Sequence, residues 1–429
     1  MKRQFRNESG QIIVILAIAM VALLGITALA IDGSIFLNDR RHDQSTADSA
    51  ALAGAGAAAQ ILKDHPPNEF YCGSSLGAQA SVVAMLAAQN LALSDNVALV
   101  QGDPLNGISV TCGTDSYRNY LDIRAIVTSD TPTTFARVLS RNQMRTTVSA
   151  TSRVYPKETL AFGNGIASLS NSCMTIGGID FAGSVHITVL GAGIFTNSCL
   201  TGSGTVDVES TGQISYYTGA APHPDAHNFS PAPTKVTQRL PLVSVPTPNC
   251  TLVSDYASPI SNTNGGTINP GNYSKIKLTS VDTLTMNPGL YCMTGDFTTT
   301  GQAHVYANGV TIYFNQGKFD VAGTSFLNMS APNCETSACG VPPAIRGMLI
   351  YLDPNNNGHV NFTGTADSSF MGTIFAPGGT IDAAGSGTSV SLNTQLVANR
   401  VNVTGSAKIT LNLDGAEIYQ NPSSIELLK

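Results

Sequence analysis

The sequence contains no tryptophan, and only 12% of its 429 residues are charged. Soluble globular chains carry about twice that charged share. The scarcity argues against a cytosolic enzyme surface. The second half is dominated by Thr, Ser, Asn and Gly, and the chain has 41 glycines in all, which suits an exported β-rich protein with short strands and many turns. No dense Lys/Arg run occurs and the net charge is −6, so there is no electrostatic footprint for nucleic acid, and none is expected as a partner. Catalytic signatures are missing too: no GxSxG, no phosphate-binding loop, no dinucleotide-type glycine pattern and no HExxH. His223 and His227, with Asp225 between them, lie beside prolines rather than on a helix and read as a solvated loop. Asp353, Asn355, Asn357 and Gly358 begin like a calcium loop, but its twelfth position falls on Gly364 instead of Glu; a β-turn explains the run without metal. No catalytic, cofactor-binding or metal-ligating residue is therefore assigned, and the chain is read as non-enzymatic.

What is present begins with an apolar run at residues 12–31, IIVILAIAMVALLGITALAI, which holds no charge. At about 1.5 Å per residue it is roughly 30 Å long as a helix, the thickness of a bilayer's hydrocarbon core. Lys2, Arg3 and Arg6 precede it and Arg40 and Arg41 follow it, a modest bias toward a cytoplasmic N-terminus. All eight cysteines lie beyond the run, as expected if the body sits in an oxidising space outside the cytoplasm. Eight cysteines allow 105 connectivities. Pairing of sequence neighbours (Cys72–Cys112, Cys173–Cys199, Cys250–Cys292, Cys334–Cys339) is the one adopted here. A retained single-pass anchor in the cell membrane is the reading, with a cleaved signal as its alternative.

Helix-forming, Ala-rich sequence continues from the span to residue 63. Ala50 and Gly54 lie four apart, on a small-residue face that permits close approach of another helix; packing on the chain's own domain is the favoured use. Gly10-Gln11 stands before the span, Ala30-Ile31-Asp32 at its end, then a polar-basic stretch at residues 39–43 and Ala47-Asp48-Ser49-Ala50-Ala51-Leu52-Ala53-Gly54-Ala55. This order, over residues 9–59, resembles the N-terminal segment of the TadG-like family of Flp (tight adherence) pilus-assembly proteins. The resemblance implies a role in assembling or contributing to such pili, with pilus-assembly proteins or pilins as partners besides the lipid bilayer. The positions after Gly10 are apolar, unlike those of Flp prepilins, which argues against prepilin processing.

Pro66 and Pro67 end the long helix. Ser74 or Ser75 caps a second at residues 76–91, with Leu76, Ala80, Val83 and Ala87 on one face. Residues 108–112, 120–128 and 144–155 read as strands, Leu121, Ile123, Ala125 and Val127 sharing a face, and a short helix is expected from Asp130-Thr131-Pro132 through Leu139. This α+β order resembles the domain behind the anchor in TadE/TadG-type proteins.

From residue 160 a pattern recurs: apolar, polar, two more, then Gly. It ends at Gly183, Gly323, Gly364, Gly385 and Gly405, with weaker copies at Gly204 and Gly301. The spacing is 20–22 residues, and the 41 residues from Gly323 to Gly364 read as two periods. Short β-branched runs bounded by Gly, Asn or Pro select a parallel β-helix, with Gly at a repeated corner of positive φ. The polar positions, Asp180, Asp320, Asn361, Asp382 and Asn402, read as a structural ladder; a catalytic use of these carboxylates is the alternative. Pro270-Gly271-Asn272-Tyr273 and Pro288-Gly289-Leu290-Tyr291 look like turns entering strands. Residues 220–250 hold seven prolines and read as an extended insertion laid along the solenoid, a flexible linker being the alternative. The proline run, the PGxY pair and residues 374–405 also resemble the C-terminal β-helix of many proteins with this anchor.

The expected fold is a membrane-anchored multidomain chain: an N-terminal transmembrane helix continuing into an α+β module, then a mainly-β, right-handed parallel β-helix (solenoid). Residues 1–63 form the cytoplasmic tip, span and stalk, 64–156 the α+β module, and 157–429 the β-helix with its 220–250 insertion. A membrane-tethered protein that binds or cleaves cell-surface polysaccharide is the second functional expectation.

Overall fold

The computed structural model describes residues 9–65, 69–115, 117–173, 178–219, 227–256, 260–261, 266–334, 338–339, 343–363, 368–413 and 418–428. These fall into two compact units, one of residues 1–65, 69–156 and 423–429 and one of 66–68 and 157–422. Stalk and α+β module are thus one body rather than two domains. The final residues also belong to it, not to the β-helix that the sequence reading extended to 429.

In the first unit, helix α1 (Ser9–Leu62) runs 54 residues without a break, about 80 Å at 1.5 Å per residue. Its large apolar side chains from Ile13 to Leu29 are all 59–72% exposed, around the whole circumference. Beyond Asp43 the helix becomes core: Ala47, Ala50, Ala51, Ala55, Ala58 and Leu62 are buried. Helix α2 (Ser75–Ser94) starts where the Ser74 hydroxyl accepts the Gly77 amide. Its buried line is Leu76, Ala80, Ala84, Ala88 and Ala92. Val83 and Ala87, expected on that face, are only half-buried, because strict four-residue spacing of alanines brings the helices closer than valine permits. Gly54 sets the limit: a Cβ there would lie 2.8 Å from the Ala84 carbonyl oxygen and 2.9 Å from Ile123. The small-residue face is thus used within the chain.

Both helices pack with a sheet of β1 (Val100–Gln101), β2 (Gly107–Thr114), β3 (Asn119–Pro132), β4 (Gln143–Tyr155) and β5 (Ser424–Leu428), in that order. Only the β1–β2 pair is parallel. Leu121, Ile123, Ala125 and Val127 alternate inward as expected and are buried. Asp130, Thr131 and Pro132 continue β3 instead of opening a helix; only Ala136–Leu139 form a 3-10 turn. The Asp130–Arg145 pairing across β3 and β4 keeps the strand extended there.

The second unit is a parallel β-solenoid of about nine turns around one apolar core. Phe297, Phe319, Val360 and Ile381 stack in register, as do Val401, Ile179 and Leu200. Glycine occupies the expected corner with positive φ at 183, 204, 301, 323 and 405. The close approach is mutual, since a Cβ on Gly204 would lie within van der Waals radii of the Gly183 carbonyl oxygen. Gly364 lies outside the described residues. Ser280 takes the same corner with φ 58°, a copy hidden from the glycine pattern by one side chain. The interval from Gly323 to Gly364 is not two periods: strand Phe319–Val321 pairs directly with residues 360–362. One turn has instead been enlarged before strand Met348–Leu352, where Cys334 is bonded to Cys339.

Stack order departs from chain order. Strand Gly193–Thr196 pairs with Asn164–Ser168, which pairs with residues 396–398. The first solenoid strands therefore sit beyond the last. The chain must return from Thr234–Lys235 at one end to Asp255–Tyr256 at the other, about ten spacings of 4.8 Å, or roughly 50 Å. Residues 236–254 make that return as a strap, within their extended reach of about 60 Å. Asn197 bonds both backbone groups of Leu240, Tyr351 donates to the Val245 carbonyl, Asn272 donates to Cys250, and Cys250 is bonded to Cys292. Of the 220–250 insertion, residues 236–250 are thus laid along the solenoid, whereas His227–Ser230 and Thr234–Lys235 are strands of its last turn and 220–226 lie outside the described residues. The remaining disulfides, Cys72–Cys112 and Cys173–Cys199, complete the neighbour pairing.

Candidate functional site

Polar side chains gather at three places: the end of the apolar half of α1, the ladder of the solenoid, and the turn after Met348–Leu352. At the first, Asp32 is the residue directly after the uncharged run and is 3% exposed. Its carboxylate accepts the backbone amides of Thr134 (2.9 Å), Phe135 (3.0 Å) and Ala136 (2.7 Å) at the start of the 3-10 turn. Two further buried polar groups follow on α1: Asp43 accepts the Ser129 hydroxyl, and Thr46 donates to Asp95. These polar positions of α1 thus bolt the helix to β3 and the adjoining loops. In the sequence Asp32 is marked only by its place in Ala30-Ile31-Asp32 at the end of the span; its role depends on partners a hundred residues away.

In the solenoid, Thr298, Asp320, Asn361 and Asp382 are neighbours in register, as are Asn402, Asp180 and Thr201. Asn361 donates to Asp320 (3.0 Å), Asn402 to Asp382 (2.8 Å) and Thr201 to Asp180 (2.6 Å). Lys318 pairs with Asp320 at 2.8 Å and His359 approaches it at 3.8 Å. Burial works to raise the Asp320 pKa, but the Lys318 ammonium and the Asn361 amide outweigh it and hold the carboxyl below its ordinary 3.8. The same contact raises Lys318. A second column went unnoticed in the sequence: His186 bonds Asp207 (2.7 Å), which also accepts from Asn228 (2.8 Å). The faint signal was a 21-residue offset between these residues, as for the glycines.

Asp353 accepts the Tyr313 hydroxyl (2.6 Å) and the Asn355 amide (2.9 Å), and these contacts lower its pKa against the opposing effect of burial. Asn356 donates to Phe314 and Gly317 and accepts Gly358. The turn's polar atoms are taken up within it and by the neighbouring coil at residues 313–317. Among the described residues no three His, Cys, Asp or Glu side chains converge as a metal site would require. His223 and Asp225 lie outside the described residues. A shallow depression lined by Ala17, Ile18, Val21 and Ala22 on α1 offers only apolar surface.

Residues 10–59 match the Tad family model, described as Flp pilus-assembly TadE/G-like. The match takes in the exposed apolar half of α1, Asp32, Asp43 and the alanine face that packs on α2. No curated protein and no solved structure matches the chain.

Proposed function

We propose that the chain is a single-pass protein of the bacterial envelope. It belongs to the machinery or the structure of a Flp-type pilus, with its N-terminus cytoplasmic and the solenoid outside the cytoplasm. The observation that carries this reading is the coincidence, within residues 10–59, of a Flp pilus-assembly family match and a helix divided into an exposed apolar half and an embedded half. A helix apolar on all sides has no stable place in water. The four disulfides favour the same side of the membrane for the body. The solenoid serves as a rigid display surface for pilins, assembly proteins or cell-surface polysaccharide, without catalysis. Lys318 and Asn361 hold Asp320 ionised, which disfavours it as a general acid.

Deleting the gene and counting surface pili tests the reading. Loss of pili, restored by the full chain and not by one lacking residues 12–31, is expected. Undiminished pili remove the assembly role. Release of sugar from envelope polysaccharide by the wild type, abolished in Asp320→Asn and Asp382→Asn, would replace it with the enzymatic alternative.

A further inference from the structure

The segment of unit 1 hydrogen-bonded to Asp32 has a position that follows from the anchor. From Ile13 to Ile31 the helix rises about 27 Å at 1.5 Å per residue, close to the roughly 30 Å hydrocarbon core of a bilayer. Asp32 then lies at the boundary between acyl chains and headgroups. A carboxylate at that depth needs donors other than water, and the amides of Thr134, Phe135 and Ala136 supply them. Since those bonds are 2.7–3.0 Å long, the backbone of residues 134–136 lies at the same depth as Asp32. The headgroup layer is only about 6 Å thick on each side, so this segment cannot stand clear of it.

The side chains there suit that layer. Phe135 is 43% exposed, and Thr134, Arg137 and Arg141 are exposed on the same loop. Ile35 and Leu37, exposed on the next turns of α1, extend the apolar surface beyond the uncharged run. Interfacial segments bury Phe, Trp or Leu at the headgroup boundary with Lys or Arg beside them, and their binding is strengthened by anionic lipid.

We propose that residues 132–141 form a membrane-surface contact, in which Phe135 enters the headgroup layer of an anionic bilayer with Arg137 and Arg141 beside it. Asp32 is its positioning residue, fixing the loop to the helix where the helix leaves the lipid. The unit is thereby seated on the membrane at two points rather than hanging from one. This inference rests on the anchor reading above.

The absence of tryptophan makes the test direct, because any introduced tryptophan is the sole reporter. The full-length protein is reconstituted into vesicles of phosphatidylglycerol and phosphatidylcholine carrying brominated acyl chains, as three variants: Leu24→Trp, Phe135→Trp and Tyr71→Trp. Leu24 lies in the span, and Tyr71 is an exposed residue of the same unit beyond the far end of α1, about 45 Å of helix away from Asp32. Strong quenching at position 24, several-fold weaker quenching at 71, and quenching at 135 well above 71 and strongest for bromines near the headgroup are expected. Adding Asp32→Ala to Phe135→Trp lowers the quenching at 135, and so do vesicles of phosphatidylcholine alone. Quenching at 135 no greater than at 71, with position 24 quenched, overturns the surface contact and leaves the anchor standing. An unquenched Leu24→Trp overturns the anchor and the contact together. Quenching at 135 that is the same in both lipids removes anionic lipid as the partner.

Discussion

The two units solve the problem of a core with opposite materials. In the first, the seam between the helices is built on alanine and glycine: α1 meets α2 through Ala47, Ala50, Ala51, Gly54 and Ala58 against Ala80, Ala84, Ala88 and Ala92, with the larger Leu121, Ile123 and Val127 supplied by the sheet. Its cohesion comes from close backbone approach. The solenoid is built on large side chains, with Phe181, Phe297, Phe314, Phe319, Phe370, Tyr273, Tyr291 and Tyr351 all under 2% exposed. The first core should resist added volume and the second should resist removed volume. The contrast also bears on anchoring, since a helix packed through small side chains is held straight and close to its sheet while its other half stays free of the protein.

That contrast can be broken by substitution. The largest effect is expected from Phe319→Ala, whose ring stacks on Phe297 at 5.1 Å between centroids; a cavity there should cost about 3–5 kcal/mol, read from denaturant unfolding of the detergent-solubilised chain. Next is the strap. Replacing Cys250 and Cys292 together by Ser should cost about 2–4 kcal/mol, and limited proteolysis should then cut within residues 236–250 before it cuts any solenoid turn. Uncut strap in the reduced or Cys-free protein would mean that the Leu240 and Val245 contacts hold it unaided. In the first unit, Gly54→Ala should destabilise by about 1–3 kcal/mol. Gly56→Ala, which meets nothing within 4 Å, should be neutral or gain up to about 1 kcal/mol. Equal effects at the two glycines would refute close approach as the source of cohesion.

The smallest effects are pH-dependent, and in the solenoid they come from stacked tyrosines and paired carboxylates. Tyr256, Tyr273 and Tyr291 stack in sequence at 4.9 and 5.8 Å. Burial pushes Tyr273 up to about 12 and Tyr291 upward as well. An unfolded tyrosine ionises near 10, so the folded state holds a proton that the unfolded state has lost. Stability is full below pH 10 and falls as pH rises toward 12. At the acid end, Asp320 and Asp353 are depressed below 3.8. Their contribution is present above pH 4 and lost as pH falls through their folded values. Tyr291→Phe should flatten the alkaline limb and Asp353→Asn the acid limb, both read by circular dichroism across pH.

Much of this was legible in the sequence because it is local or periodic. The unbroken helix follows from an uncharged run continued by alanines. The solenoid corners follow from glycines 20–22 residues apart, and the ladder from the Asp–Asn alternation at 361, 382 and 402. What stayed hidden is non-local. Nothing in the repeat spacing says that residues 164–210 stack beyond 396–412, although the proline-rich return strap is the trace of that order. The strand Ser424–Leu428 pairs with β4, a contact separated by some 270 residues. Ser280 escaped because one residue departs from the glycine pattern, and the enlarged turn before Met348 mimicked two periods. Asp32 stood in view at the end of the span, while its socket of three backbone amides required the fold.

The central claim is that residues 12–31 cross the membrane with the body outside, and side-specific labelling of living cells tests it most directly. Epitopes are placed at the N-terminus and at the C-terminus of the full chain, and intact and permeabilised spheroplasts are probed with antibody. The account predicts a C-terminal epitope that reacts in intact spheroplasts and an N-terminal epitope that reacts only after permeabilisation. An N-terminal epitope exposed on intact spheroplasts, or a C-terminal epitope that stays hidden until permeabilisation, would contradict it.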